Sequence, residues 1–329
     1  MLLHDPVLLL QALLLALVVD ALVGDPPWLW RRLSHPVALF GRLAAALERR
    51  SRRAPAGARA LRMLGAALTF ALVSGAALLG FLIDRLLWSW GWGWAASGLV
   101  ASLFLAYRGL RQHVAAVAQG LRQDLERGRG AVRHIVGRDP EALDRAGVAR
   151  AAVESLAENF ADGVVAPWFG YLMFGLPGLL VIKAANTLDS MWGYRSPAYR
   201  HFGAAAARLD DLLQYLPARI TALLFLATAA LLPHSRAGAA LQVVMRDARK
   251  HRSPNAGYPE GALAGALGYR LAGPRIYRHE TVDGPWIGQG KADLGAEDID
   301  AALAFAGTAF RLLVLFTAAL MVWAAAPGR

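Results

Sequence analysis

Three carboxylates, Glu154, Glu158 and Asp162, recur at every fourth residue. On a helix that spacing stacks them along one face, where they repel one another unless a cation offsets them. Arg150 at the same spacing is the local counter-charge; a divalent ion such as magnesium, held by oxygen ligands, is the alternative. Farther on, Lys183, Asn186 and Asp189 repeat at three-residue spacing beside an apolar run. They form either a polar packing seam or the wall of a site, and burying them there is costly in both cases. Arg208, Asp210 and Asp211 follow, readable as a surface salt bridge or as a second metal-binding edge. The densest polar block runs from Arg246 to Glu260 and stops at the turn Ser253-Pro254-Asn255-Ala256-Gly257. Backbone amides and short side chains of such a turn can approach an anion closely. With Arg249, Lys250 and His251 beside it, the block reads as a phosphate site or as a plain solvated basic surface, and Glu260 adds an oxygen donor.

Familiar templates are absent. Gly284 to Lys291 has the wrong spacing for a Walker loop, and Gly288-Gln289-Gly290 lacks a third glycine in register for a dinucleotide fingerprint. Neither His-Glu-x-x-His nor Gly-x-Ser-x-Gly occurs. The sequence contains no cysteine, which excludes disulfide scaffolds, zinc ribbons and thiol chemistry. A net charge of +11 and a pI near 10.6 fit basic loops facing anionic lipid, with anionic substrates as a second explanation; no nucleic-acid partner is expected.

The elements that must carry these side chains are apolar. Of the 329 residues 56% are hydrophobic and 18% charged, and the mean hydropathy is +0.37, too apolar for an ordinary soluble enzyme. Runs at 6–23, 63–83, 86–107, 164–182, 220–232 and 301–326 are candidate spans of a polytopic, all-α membrane bundle, a single domain over 1–329. The first run carries Asp20 and lacks a basic leader and a small-residue cleavage pattern, so it reads as a retained span. Asp84-Arg85 is expected to be the turn of a tight helical hairpin, with Trp88, Trp90, Trp92 and Trp94 as an interfacial belt.

Two segments read as full spans or re-entrant pieces: 164–182 is interrupted by Pro167, Gly170, Gly175, Pro177 and Gly178, and 220–232 is only 13 residues long between prolines. Arg311 in the last run is expected to snorkel or face the bundle. Residues 24–62, 108–163 and 234–300 each hold nine Lys and Arg, which places those loops in the cytoplasm. Strict alternation then puts 190–216, with Arg195, Arg200 and Arg208, outside. Two dipping segments would instead keep that stretch near the cytoplasmic side. Outside the spans, helix is expected over Glu141 to Asn159, started by Asp139-Pro140, with a basic lipid-facing loop over 48–59 and little sheet.

The separate blocks fall into one order. Gly24-Asp25-Pro26 with His35-Pro36-Val37, Glu158-Asn159 with Asp162-Gly163-Val164-Val165-Ala166-Pro167, Asn186-Thr187-Leu188-Asp189-Ser190-Met191 with Gly193-Tyr194, Ala207-Arg208-Leu209-Asp210-Asp211 with Pro217-Ala218-Arg219, Arg246-Asp247-Ala248-Arg249 with Ser253-Pro254-Asn255-Ala256-Gly257, and Pro285-Trp286-Ile287-Gly288 together resemble the CobD/CbiB family. These are membrane-bound adenosylcobinamide-phosphate synthases of cobalamin biosynthesis. The resemblance extends from Gly24 to about Gly290.

What the resemblance implies is ATP-dependent amide formation between adenosylcobyric acid and aminopropanol phosphate. A carboxylate is a poor electrophile, so phosphoryl transfer would activate it before the amine attacks; magnesium and cationic side chains supply the charge neutralisation. On this reading Glu158, Asp162, Asp189, Asp210 and Asp211 are the pool of metal ligands, and Asn159 and Asn186 orient substrate or metal-bound water. Lys183, Arg208, Arg249, Lys250, His251 and the Asn255 turn hold phosphates, while Glu260 is the base for the attacking ammonium. Asp25 and His35 are expected to close the first cytoplasmic loop. Trp168, Trp192, Tyr194 and Trp286 are candidates to cover the corrin ring, although packing explains each singly. The implied setting is the inner membrane with the site facing the cytoplasm, alone, as a homo-oligomer or beside other enzymes of cobalamin assembly. A non-catalytic sensor like the AmpE proteins would not need the full acidic and basic set. A transporter would fit the broken helices, but no internal repeat supports it.

Overall fold

The computed structural model describes residues 4–52, 57–136, 140–194, 196, 199–277, 280–282 and 284–326, without the side chains of Pro27, 275–277 and 280–282. Asp139, Arg195 and residues 53–56 lie outside the described residues, and the expected basic loop over 48–59 is helix at both ends, 48–51 and 58–59. Helices come first in chain order: α1 (Pro6–Leu22), α2 (Pro27–Trp30), α3 (Pro36–Ser51), α4 (Ala58–Leu87), α5 (Gly93–Ser102), α6 (Tyr107–Gln123), α7 (Leu125–Val132) and α8 (Arg145–Phe160). A π turn (Ala161–Val165) leads into α9 (Ala166–Trp192), followed by α10 (Ala204–Leu213), α11 (Tyr215–Leu231), α12 (Ala237–Asp247) and α13 (Gly257–Leu267). Four short strands, β1 (Leu271–Ala272), β2 (Arg275–Tyr277), β3 (Glu280–Val282) and β4 (Trp286–Ile287), precede α14 (Ala296–Ala324). The fold is therefore helical with very little sheet, as the sequence predicts.

Among the described residues three helical stretches are long and apolar enough to cross a membrane: Ala58–Leu87, Arg145–Trp192 and Ala296–Ala324. The pair Ala204–Leu213 and Tyr215–Leu231 makes a fourth if taken as one bent span. The chain packs as two compact units. One comprises Met1–Ala106, Ala166–Gln214 and Thr317–Arg329, the other Tyr107–Val165 and Tyr215–Phe316.

In the first unit α4 packs along α9 and α1 along α5. Ala44, Leu72, Leu188, Trp192, Phe202 and Ala206 form a buried cluster there. Asp5 starts α1 by accepting the amides of Val7 (2.8 Å) and Leu8 (3.1 Å), with Pro6 in the first turn, where its missing N–H costs nothing. The expected hairpin at Asp84-Arg85 does not form. Asp84 is buried within α4 and pairs with His4 (2.5 Å), so the helix runs on to Leu87. The chain then turns through the Trp-Gly segment, and only ten residues of the expected 86–107 span are helical in α5. His4 stacks on Trp88 at 3.9 Å, whereas Trp90 and Trp92 are exposed, so the belt reading fits only part of the tryptophan row.

The many interruptions expected in 164–182 reduce to one. Gly175 adopts φ +65°, ψ −149°, a conformation open to glycine, and Pro177 lies just beyond it; helix continues on both sides. Likewise the expected 13-residue piece at 220–232 begins earlier, at Tyr215, because Pro217 falls in the first helical turn and is tolerated there. Arg311 is exposed on α14 and donates to Thr308 Oγ1 at 2.8 Å.

In the second unit the aromatic core is built from Tyr107 stacked on Phe310 (3.7 Å) and from Phe160, Phe225 and Phe305. Helix α8 starts at Arg145, not at the expected Asp139-Pro140. Asp144 provides the cap, its side chain accepting the Gly147 amide at 2.6 Å, and Pro140 sits in a separate 3₁₀ turn. The strands form two antiparallel pairs, β1 with β4 and β2 with β3.

Candidate functional site

In the first unit, α10 packs on α9 and brings Asp210 beside Asn186, Asp189, Asp211 and Gln214. Asp210 is 8% exposed, and its Oδ1 has no hydrogen-bond partner. Gln214, 2% exposed, leaves both side-chain polar atoms without partners. A buried polar atom left unmatched costs about 1–3 kcal/mol, so this group of oxygens suits a cation. Among the described residues, however, no three His, Asp or Glu side chains converge as ligands of one ion. The donors are therefore grouped by charge without forming a preset cage. Gln214, four residues after Asp210, is a neutral oxygen donor that an inventory of acids passes over; the i, i+4 spacing was the signal for it.

The two cations expected nearby have other surroundings within this unit. Arg208 is exposed and shares a small cavity with Arg62 and Arg200. Lys183 lines an apolar cavity of about 520 Å³ walled by α3, α4, α5 and α9. Asp25 and His35 do come together, at 3.3 Å. Trp30 Nε1 donates to Asp25 (3.2 Å), and His35 Nδ1 caps α3 by accepting the Val37 amide. This is the loop-closing role expected of them. Trp168 and Trp192 are core residues, bonded to Thr317 (3.0 Å) and Glu48 (3.0 Å), and are too buried to cover a ligand. Tyr194 is exposed.

In the second unit the row of carboxylates at 154, 158 and 162 does not act as one. Glu154 is buried and accepts the Ala272 amide at 2.9 Å, which ties α8 to β1. Glu158 is exposed, as is Asn159, whose amide donates to Ser155 O. Asp162 lies in the π turn, where i→i+5 bonding takes the chain out of the four-residue register. Arg150, the expected counter-charge, donates to Ala292 O (2.6 Å) and lies over the Trp286 ring.

The Arg246–Glu260 block divides between two faces. On one, Arg219 is sandwiched between Tyr215 (3.6 Å) and Tyr258 (4.0 Å) and donates to Asn255 Oδ1 (2.7 Å). Burial alone would raise the Tyr258 hydroxyl pKa, but hydrogen bonds from Arg249 and Arg219 outweigh it and lower the value. The turn beside this face is closed on itself. Ser253 Oγ accepts the amides of Asn255 and Ala256 (both 3.2 Å), and His251 Nδ1 accepts that of Ser253 (3.0 Å). Those amides therefore do not point at an anion, contrary to the sequence expectation. Buried Glu260 lies 3.7 Å from His251 Nε2.

On the other face Asp247, 1% exposed, accepts from four donors. Arg246 grips both of its oxygens, Lys250 reaches Oδ1 (2.7 Å), and the Gly288 amide reaches Oδ2 (3.0 Å). Hydrogen bonds from Arg246, with help from Lys250 and Gly288, hold its carboxyl well below the usual carboxylate range despite burial. Beside it opens a cavity of about 430 Å³ lined by Arg246, Asp247, Lys250, Arg270, Trp286 and Gln289. Arg270 stacks on Trp286 at 4.3 Å. Arg270 and Gln289 had no signal in the sequence, because what joins them is a ladder two residues long.

A profile of the CobD/CbiB family matches residues 13–325. The chain belongs to the CobD/CbiB family. A relative from Brucella anthropi named cobalamin biosynthesis protein CobD is 50% identical over 293 residues, 88% of this chain and 90% of that protein. CobD-named relatives from Sinorhizobium fredii (49% over 296 residues, 89% and 90% covered) and Rhodobacter capsulatus (44% over 293, 89% and 91%) match over similar lengths. No solved structure matches.

Proposed function

We propose that this family member is an ATP-dependent amide ligase of cobalamin biosynthesis, joining adenosylcobyric acid to aminopropanol phosphate to give adenosylcobinamide phosphate. The observation that carries the reading is the nearly full-length match to CobD proteins, in a chain that keeps both a buried acidic cluster and a basic cavity. In the reaction, an oxygen of the corrinoid propionate takes the terminal phosphoryl group of ATP, releasing ADP. The amine, having lost its proton, then attacks the acyl carbon and expels phosphate.

Asp189, Asp210 and Asp211, with Gln214, would hold magnesium, which when bound neutralises phosphate charge. Glu158 and Asp162 are further candidate ligands, and Asn159 and Asn186 candidate orienting groups. Lys183, Arg208, Arg249, Lys250 and His251 are candidates to hold phosphates. Buried Glu260, with His251 nearby, is suited to take the ammonium proton. The helices long enough to cross a bilayer and the basic loops support an inner-membrane enzyme whose site faces the cytoplasm, where ATP is found. Membranes containing the protein, given ATP, magnesium and both substrates, are expected to release phosphate and form the amide only when both substrates are present. Phosphate release that ignores either substrate would refute the ligase.

A further inference from the structure

The cavity between Asp247 and Trp286 is built by a small antiparallel ladder. Leu271 pairs with Ile287 and Ala272 with Trp286, and the Arg270 amide donates to Lys291 O at 2.8 Å. Arg270, just before β1, and Gln289, just after β4, therefore open onto the same hollow. Gly288 takes φ +88°, a turn open to glycine, so that its amide can meet Asp247. Gly273, at φ +79°, packs against the Trp286 ring so closely that a Cβ there would lie 2.6 Å from it. The ring is thus pinned, and it in turn steadies the Arg270 guanidinium.

Asp247 fixes the other wall. By holding both Arg246 and Lys250 it trades one negative charge for two positioned cations. Arg246, Lys250 and Arg270 against Asp247 leave a balance of +2 around an open hollow. A phosphate monoester at neutral pH carries about −1.5 to −2 charge and three acceptor oxygens, which the Arg270 fork, the N–H groups of Arg246 and Lys250 not spent on Asp247 and the Gln289 amide are equipped to bind.

We propose that this cavity is the seat of a dianionic phosphate monoester, with Arg270 as its principal unassigned ligand and Asp247 as the residue that positions Arg246 and Lys250. The choice of ester rests on the ligase reading: it is the phosphate of the amino alcohol. The terminal phosphate of a nucleotide has the same chemistry, so the test must separate the two sources.

Calorimetric titration of the full-length protein in detergent, with aminopropanol phosphate, aminopropanol, inorganic phosphate and ATP in turn, makes that separation. Aminopropanol phosphate and inorganic phosphate are expected to bind, and the unphosphorylated alcohol at least tenfold more weakly. Arg270→Gln should weaken aminopropanol phosphate by at least tenfold and leave ATP unchanged. If that variant fails to fold by circular dichroism, Lys250→Gln reads the same cavity from the segment after α12, with at least a fivefold loss expected. Equal binding of ester and free alcohol, or unchanged affinity in a folded variant, would overturn the site. A loss confined to ATP would overturn the assignment to the amino alcohol. Intact, Arg270-dependent binding without amide synthesis would instead refute the ligase and leave the anion site standing.

Discussion

Two buried aspartates, Asp210 in one unit and Asp247 in the other, solve opposite problems. Asp247 is surrounded by donors: a guanidinium, an ammonium and a backbone amide all end on its two oxygens. Asp210 faces two further carboxylates, and one of its oxygens meets no donor at all. Burial alone therefore does not say what an acid is for. Where donors saturate it, the acid organises cations and stabilises the fold; where acids gather around it, like charges burden the fold and the arrangement suits a positive ion.

The largest effect expected from this contrast is on activity. Asp189→Ala should lower amide synthesis by at least about 100-fold, the scale of losing a group that stabilises charge in the transition state, while thermal unfolding in detergent stays near that of the parent. Full activity in that variant would break the acidic half of the comparison.

Next comes stability at the saturated acid. Asp247→Asn should cost about 2 kcal/mol, within the range for hydrogen bonds to charged groups, read as a lowered Tm. Because the folded carboxyl titrates below its unfolded value of about 3.9, its contribution is complete above about pH 4 and fades as pH falls toward the folded value. The gap in Tm between parent and variant should therefore narrow on acidification; a constant gap would show that charge is not what Asp247 supplies.

Asp210→Asn should move stability the other way. Without magnesium its Tm is expected to rise by an amount worth up to about 1 kcal/mol, through relief of like-charge repulsion. Added magnesium should then raise the Tm of the parent more than that of the variant, as selective binding to the folded state requires. A fall in Tm without magnesium would place Asp210 in the same class as Asp247.

Smallest of all is Glu154→Gln. It keeps an acceptor for the Ala272 amide and should cost under about 1 kcal/mol, whereas a metal ligand would lose its ion.

Much of the fold was legible because its signals are local. The apolar runs of α4 and α14 and the scarcity of alternating strands all act over a few residues. Failures arose where a distant partner changed the local preference. Asp84 reads as a turn until His4 pairs with it inside the fold, and 86–107 reads as one span until the Trp-Gly segment bends. Helix α8 shows a nearer failure: Pro140 goes into a 3₁₀ turn of its own and Asp144 caps the helix.

The site divides in the same way. Asp189, Asp210 and Asp211 stand out by type, each with a bland alternative that only the family resemblance set aside, and the structure places Asp210 beside the other two. Glu154 has the right spacing but answers to a strand 118 residues away. The Ser253–Gly257 turn has suitable residues for an anion, yet its amides already have acceptors inside the turn. Arg270 was invisible, since its partner Trp286 is reached only through a ladder that periodicity cannot detect.

That ladder has a mechanical consequence. Two residue pairs, extended by the Arg270 amide on Lys291 O and the Gly273 amide on Pro285 O, clamp together two stretches of chain that lie about fifteen positions apart. Prying that clamp apart would move Arg270 and Gln289 away from each other in a single step, so the hollow opens or closes as a unit rather than residue by residue.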